Sequence, residues 1–124
     1  MEKELIVESR CEQLTVSKLE WATSINPSFT VAIGLEAYDD EVLRFHVNKG
    51  FSTSSWDRAV TNLEAFNLRV KTYLMFKPPF MSEADALDHS VKWIEAVAHR
   101  SDEISVNPMN IQRGTVIDRL HRHN

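Results

Sequence analysis

Glycine is scarce here: Gly34, Gly50 and Gly114 are the only three in 124 residues. No Gly-rich loop exists to cradle a phosphate on backbone amides, so a P-loop and a dinucleotide fingerprint are both excluded. Cysteine is scarcer still. Cys11 stands alone, which excludes an internal disulfide framework and fits a reducing cytosol. No run of about 18 apolar residues occurs, so no membrane-spanning helix is expected. Residues 1–10 hold no long apolar stretch, so no secretory leader is expected and the location read is cytoplasmic. Positive charge is not in excess either. Fourteen Lys plus Arg stand against 18 Asp plus Glu, a net charge of −4. That balance predicts no nucleic-acid binding by bulk electrostatics, although it leaves room for a local basic patch.

What is present is 43% hydrophobic, a globular figure, at a length that suits a single domain over 1–124 with one core. Residues 30–50 (TVAIGLEAYDDEVLRFHVNKG) organise the chain. An apolar, β-branched run at 31–33 leads into Gly34, Leu35 and an acid, Glu36. Asp39 and Asp40 are placed to start a helix carrying Val42, Leu43 and Val47, which stops at Asn48-Lys49-Gly50. An acid thus closes the strand and a base closes the helix. Ligands of open and barrel α/β folds bind at the carboxyl ends of parallel strands, where loops converge and helix N-termini point inward.

The flanking sequence repeats this alternation. Residues 5–7 (LIV) read as a strand followed by Glu8. Ser17 and Glu20 have capping-box spacing for a helix to about Ile25, with Leu19, Ala22 and Ile25 inward. Ser54 and Asp57 have the same spacing before a stripe of Trp56, Ala59, Val60 and Leu63, and Asn67 is its stop. Residues 70–76 read as a third strand, with Lys77-Pro78-Pro79-Phe80 as a stiff extended exit. Ser82 and Asp85 open a helix with Leu87, Val91, Ile94 and Val97 inward. Residues 103–106 read as a fourth strand, Asn107-Pro108 as a turn, and 115–120 as a last helix. The pattern predicts an α/β fold with an open parallel sheet of about four βα units.

Polar groups gather at three strand ends: Glu8 with Arg10, Glu36, and Asn107 with Arg113. Charges of this kind often do no more than mark where strands leave the core. Lys49 has an ordinary role as a cation at a helix C-terminus. Cys11 reads as a quiet thiol rather than a nucleophile, because no histidine stands near it in sequence. His46, His89 and His99 are isolated on helices, and His121 and His123 sit in a polar tail. Trp56, Trp93 and Trp21 read as packing residues. No catalytic triad and no metal set emerges from spacing.

Four segments in order resemble the radical S-adenosylmethionine superfamily, in its tRNA-modifying branch and most nearly its archaeal archaeosine-biosynthesis type. VESRCEQLT is similar to the third-strand segment of that family and AIGLEAYDDEVLRFHVNKGF to the next unit. KTYLMFKPPF resembles the fifth strand and SVNPMNIQRGT the sixth. The resemblance covers about residues 4–120 and implies the second part of a partial TIM barrel. It implies S-adenosylmethionine as cofactor, with Glu8 at its amino group, Glu36 at the ribose hydroxyls and Lys49 at its carboxylate, while Arg10, Asn107 and Arg113 line the pocket. It implies a 4Fe-4S cluster in the full-length parent, which breaks the sulfonium bond to a 5′-deoxyadenosyl radical. A tRNA base would be the substrate.

The sequence departs from that family at one decisive point. The cluster needs Cys-x3-Cys-x2-Cys, and Cys11 alone cannot anchor it. The expectation is therefore a fragment without its cluster-binding N-terminal part, inactive on its own. Expected partners are tRNA and that missing part, with a homodimer through exposed sheet edges as a further possibility. The rival readings are a non-enzymatic α/β module for a small nucleotide or partner protein, and a fragment of a metabolic barrel.

Overall fold

Each apolar run becomes a strand and each capped segment between them a helix. A computed structural model describes residues 4–78 and 80–108. The order is β1 (Ile6–Ser9), α1 (Val16–Ile25), β2 (Thr30–Glu36), α2 (Thr53–Ala65), β3 (Arg69–Phe76), α3 (Glu83–Ala98) and β4 (Glu103–Pro108). The strands form one open sheet in the order β1-β2-β3-β4, and every neighbouring pair is parallel.

Register separates the two faces. Val7, Val31 and Val70 align across three strands, as do Ser9, Ile33 and Thr72. Val31, Ile33, Leu35, Val70 and Leu74 share one buried cluster with Leu19 of α1, Trp56, Val60 and Leu63 of α2, and Trp93 and Val97 of α3. All three helices therefore cover the same face. Each buried Val or Leu contributes about 1.5–3 kcal/mol relative to exposure. The opposite face carries the rows Glu8-Ala32-Lys71-Glu103 and Gly34-Tyr73-Ser105. No described helix covers it.

The helix caps differ from the sequence expectation. The N-cap of α1 is Thr15, whose Oγ1 accepts from the Lys18 amide at 3.4 Å, and Ser17 lies inside the helix. Leu19 is buried and Ala22 partly so, whereas Ile25 and Trp21 are exposed, Trp21 by 70%. At 3.6 residues per turn Ile25 lies about 120° round the helix from Leu19 and Trp21 about 160°, so neither can share its contact. The cap of α2 is Ser52, boxed with Ser55, rather than Ser54. Asp57 instead accepts the Tyr38 hydroxyl at 3.1 Å. The stripe Trp56, Ala59, Val60 and Leu63 is buried as its spacing predicts, and Asn67 takes a left-handed φ of 56° just past the end.

The helix expected after Asp39-Asp40 shrinks to one π-type turn, Val42–His46, closed by the Val47 amide on the Val42 carbonyl at 3.1 Å. Asp39 caps this turn through the Glu41 and Val42 amides. Asp40 reaches the Thr53 amide at 2.7 Å and so serves the start of α2. Lys77 and Phe80 have φ of 54° and 68°, so the exit from β3 bends where an extended path is expected.

Ser82 caps α3 through the Asp85 amide, as its spacing predicts. The inward residues are Ala86, Ser90, Trp93 and Val97, with Ile94 partly buried, while Leu87 and Val91 are exposed. One residue is 100° of rotation, and the small Ala86 and Ser90 allow the closer approach. Asn107 and Pro108 continue β4 rather than turning out of it. Among the described residues β4 pairs with β3 alone, and an edge strand tolerates the amide that proline lacks. Arg113, His121, His123 and the helix expected at 115–120 lie outside the described residues.

Candidate functional site

The face that no described helix covers has a hollow of about 850 Å³ at the C-terminal ends of the strands. Its floor is low because Ala32 and Gly34 are the central residues there, between Glu8 on β1 and Tyr73 and Met75 on β3. Alternation along β2 puts Ala32, Gly34 and Glu36 on this face. Between Gly34 and Glu36 the register with β3 shifts by one residue. This bulge leaves Leu35 in the core, fully buried, while Glu36 adopts φ 74° and its side chain stays on the hollow. A Cβ on Gly34 would lie 3.3 Å from Glu36 Oε1, so the glycine leaves the carboxylate its room.

Lys49 Nζ lies 3.7 Å from Glu36 Oε1, and each side chain is less than a quarter exposed. The lysine thus has a specific partner thirteen residues back as well as its place after a helical turn. Its ammonium also sits 5.7 Å from the Phe51 ring, and the Arg10 guanidinium lies 5.5 Å from the same ring. Arg10 is paired with Glu12. Deeper on the face, Lys71 Nζ lies 3.5 Å from Glu103 Oε1 and 5.1 Å from the Tyr73 ring. A hydrogen bond with Tyr73, aided by the Glu103 carboxylate, holds the Lys71 ammonium above the usual lysine range.

Five of the six residues singled out from sequence line this one hollow: Glu8, Arg10, Glu36, Lys49 and Asn107. Arg113 is the sixth and lies outside the described residues. Sequence reasoning passed over Tyr73 and Met75. Their signal was the two-residue period of β3, which places both on the face opposite Val70, Thr72 and Leu74.

Cys11 is buried in a short 3-10 turn after β1. Burial, reinforced by the neighbouring Glu12 carboxylate, pushes its thiol up to about 12. A raised folded-state value favours the neutral thiol, so this group stabilises the fold least once the unfolded chain ionises; stability falls as pH rises above about 9. At pH 8 the native thiol is expected to react with a disulfide reagent at under a tenth of its rate in urea; equal rates would show that it is not sequestered. Among the described residues no three His, Cys, Asp or Glu side chains converge as a metal site. A lone, neutral, buried thiol does not fit an iron–sulfur cluster.

No family model matches the chain. It is similar to archaeosine synthase subunit beta of Methanosarcina acetivorans, 35% identical over 118 residues, which is 94% of this chain and 34% of that protein. The protein of the same name from Thermococcus kodakarensis is 34% identical over 120 residues, covering 95% of this chain and 37% of the relative. An uncharacterized protein of Methanocaldococcus jannaschii is 30% identical over 121 residues. Nearly the whole chain thus matches about a third of the length of each curated relative.

Proposed function

We propose that the chain forms one wall of an S-adenosylmethionine pocket in a radical-type, archaeosine-related tRNA-modifying enzyme. The observation that carries this reading is the convergence of Glu8, Arg10, Glu36, Lys49 and Asn107 on one hollow at the C-terminal ends of adjacent parallel strands. The similarity to two proteins named archaeosine synthase subunit beta supports it. So does the topology: consecutive parallel strands with the three described helices on one face are what an arc of a βα barrel contains.

The donor set suits the cofactor group by group. Glu8 would hold the ammonium, Lys49 the carboxylate and Glu36 the ribose hydroxyls, each through a charge-assisted hydrogen bond. Arg10 and Asn107 would close the sides. When bound, S-adenosylmethionine supplies a sulfonium carbon–sulfur bond that can be cleaved. The residues of this chain bind and orient it. Cys11 is the one cysteine among the 124 residues, so thiolates for a cluster would come from another part of such an enzyme. The β1 edge, with Leu5, Ile6 and Val7 exposed, is the side on which the remainder of a longer protein would pack.

Calorimetric titration of the 124-residue chain with S-adenosylmethionine tests the reading. A hydrogen bond to a charged group is worth about 1.5–3 kcal/mol, so Glu8→Gln is expected to weaken binding about ten- to hundredfold. Lys49→Met is expected to do the same. Absent binding, or binding indifferent to both substitutions, would sink the assignment.

A further inference from the structure

Two loops that follow the C-terminal ends of β2 and β3 carry aromatic rings that the cofactor reading leaves unused. Phe45 is 66% exposed and Phe80 is 69% exposed. Phe45 sits in the π-type turn after β2, and Phe80 sits on the exit from β3. These strands are neighbours and parallel, so both loops stand at the same end of the sheet. The rings of His46 and Phe80 meet at 6.3 Å and 63°, which brings the two loops into contact.

Cations are interleaved with these rings. The Arg44 guanidinium lies 5.1 Å from the Phe45 ring. Lys77 stands three residues before Phe80, in an exposed pair with Glu83 at 3.4 Å. Lys77 and Phe80 both have left-handed φ, which L residues adopt rarely; the backbone there departs from its easy path and leaves a large ring in water. Asp39 and Asp40 are directed to backbone amides, and the acid nearest in sequence to Arg44 is Glu41, three residues before it.

The exposed apolar set at β1 and α1 differs in kind. Leu5, Ile6, Val7, Trp21 and Ile25 are mostly aliphatic, as a protein contact would be. Rings alternating with cations are what unpaired nucleotides require, because bases stack on the rings while phosphates meet the cations.

We propose that Arg44, Phe45, His46, Lys77 and Phe80 form a stacking surface for unpaired nucleotides of an RNA strand, on the loops that follow β2 and β3. This rests on the reading that the substrate is RNA and adds the surface that would hold it. The net charge of −4 makes the attraction local. Two phosphate contacts imply a salt slope of only about −1.4 in log K against log salt.

The test is fluorescence anisotropy of a labelled single-stranded RNA of about ten nucleotides, a length within known site sizes, titrated with the 124-residue chain. Phe45→Ala and Phe80→Ala are each expected to weaken binding about five- to hundredfold. Phe80→Trp keeps a stacking face and is expected to stay within about twofold. Arg44→Gln is expected to flatten the salt slope by about 0.7. Circular dichroism of each variant confirms that it folds. RNA binding absent, or unaffected by both alanine variants, overturns the surface. So does a concentration-dependent dimer in sedimentation that Phe45→Ala abolishes, since the face would then belong to a second copy. S-adenosylmethionine binding is measured separately. RNA binding that needs Phe45 and Phe80 in a chain that binds no S-adenosylmethionine would uphold the surface while the cofactor reading fails.

Discussion

The Trp56→Ala chain is expected to lose about 3–5 kcal/mol of stability, the cost of emptying a large aromatic site. Marginal domains hold about 5–15 kcal/mol in all, so the variant would be largely unfolded on warming. The reason lies in what one ring joins. Trp56 is 1% exposed. The Tyr38 ring, from the loop after β2, meets it edge-on at 5.7 Å and 79°. The Arg100 guanidinium, from the end of α3, lies 6.0 Å from it, and Arg100 returns to α2 through Glu64 at 3.1 Å. The Trp56 indole Nε1 is buried and finds no hydrogen-bond partner among the described residues. Phenylalanine would fill much of the space and remove that donor, whose isolation costs about 1–3 kcal/mol. Trp56→Phe is therefore expected to lose under about 1.5 kcal/mol. Urea unfolding followed by far-ultraviolet circular dichroism measures both. If alanine and phenylalanine cost the same, the ring does not bridge these elements.

Glu36 gives the second large effect, and it runs in opposite directions for stability and binding. A residue with a Cβ at φ 74° carries about 1–2 kcal/mol of conformational strain, which glycine escapes. Glycine also gains freedom when unfolded, and the Lys49 partner is lost. Glu36→Gly is therefore expected to be neutral to about 1 kcal/mol more stable than the parent. Glu36→Ala keeps the strain and loses the acid, so it is expected to fall about 1 kcal/mol below the glycine variant. Both are expected to weaken S-adenosylmethionine at least tenfold. A glycine variant less stable than the alanine one would show that the left-handed backbone does not hold in solution. Strain kept at a position that presents a carboxylate is the pattern of a site where geometry outranks stability.

Much of this arrangement was legible in the residues. The α2 stripe declared itself because its large apolar residues are also the buried ones, and the strand runs did so because β-branched residues cluster in them. The strand-end acids Glu8 and Glu36 were legible through the repeat of an apolar run closed by a carboxylate. What was hidden depends on tertiary approach. The inner face of α3 follows Ala86 and Ser90, whose small size allows contact with the sheet, and a hydrophobicity reading prefers Leu87 and Val91. The caps differ from the expected ones because Thr15 and Ser17 compete at the start of α1 and Ser52, Thr53, Ser54 and Ser55 at the start of α2, and spacing alone does not choose among them. The π-type turn and the bulge at Leu35 come from one unmatched residue each, which no periodicity records. The Glu36–Lys49 pair needed the turn between them to be shorter than a full helix.

The strand order has a consequence for synthesis. Among the described residues β2, β3 and β4 each pair with the strand made just before, so none of these pairings waits for a distant segment. As the chain leaves the ribosome, every new βα unit can close on a surface already formed, and the entropy of long loops is never spent at once. The four described strands can therefore assemble in chain order, one βα unit at a time.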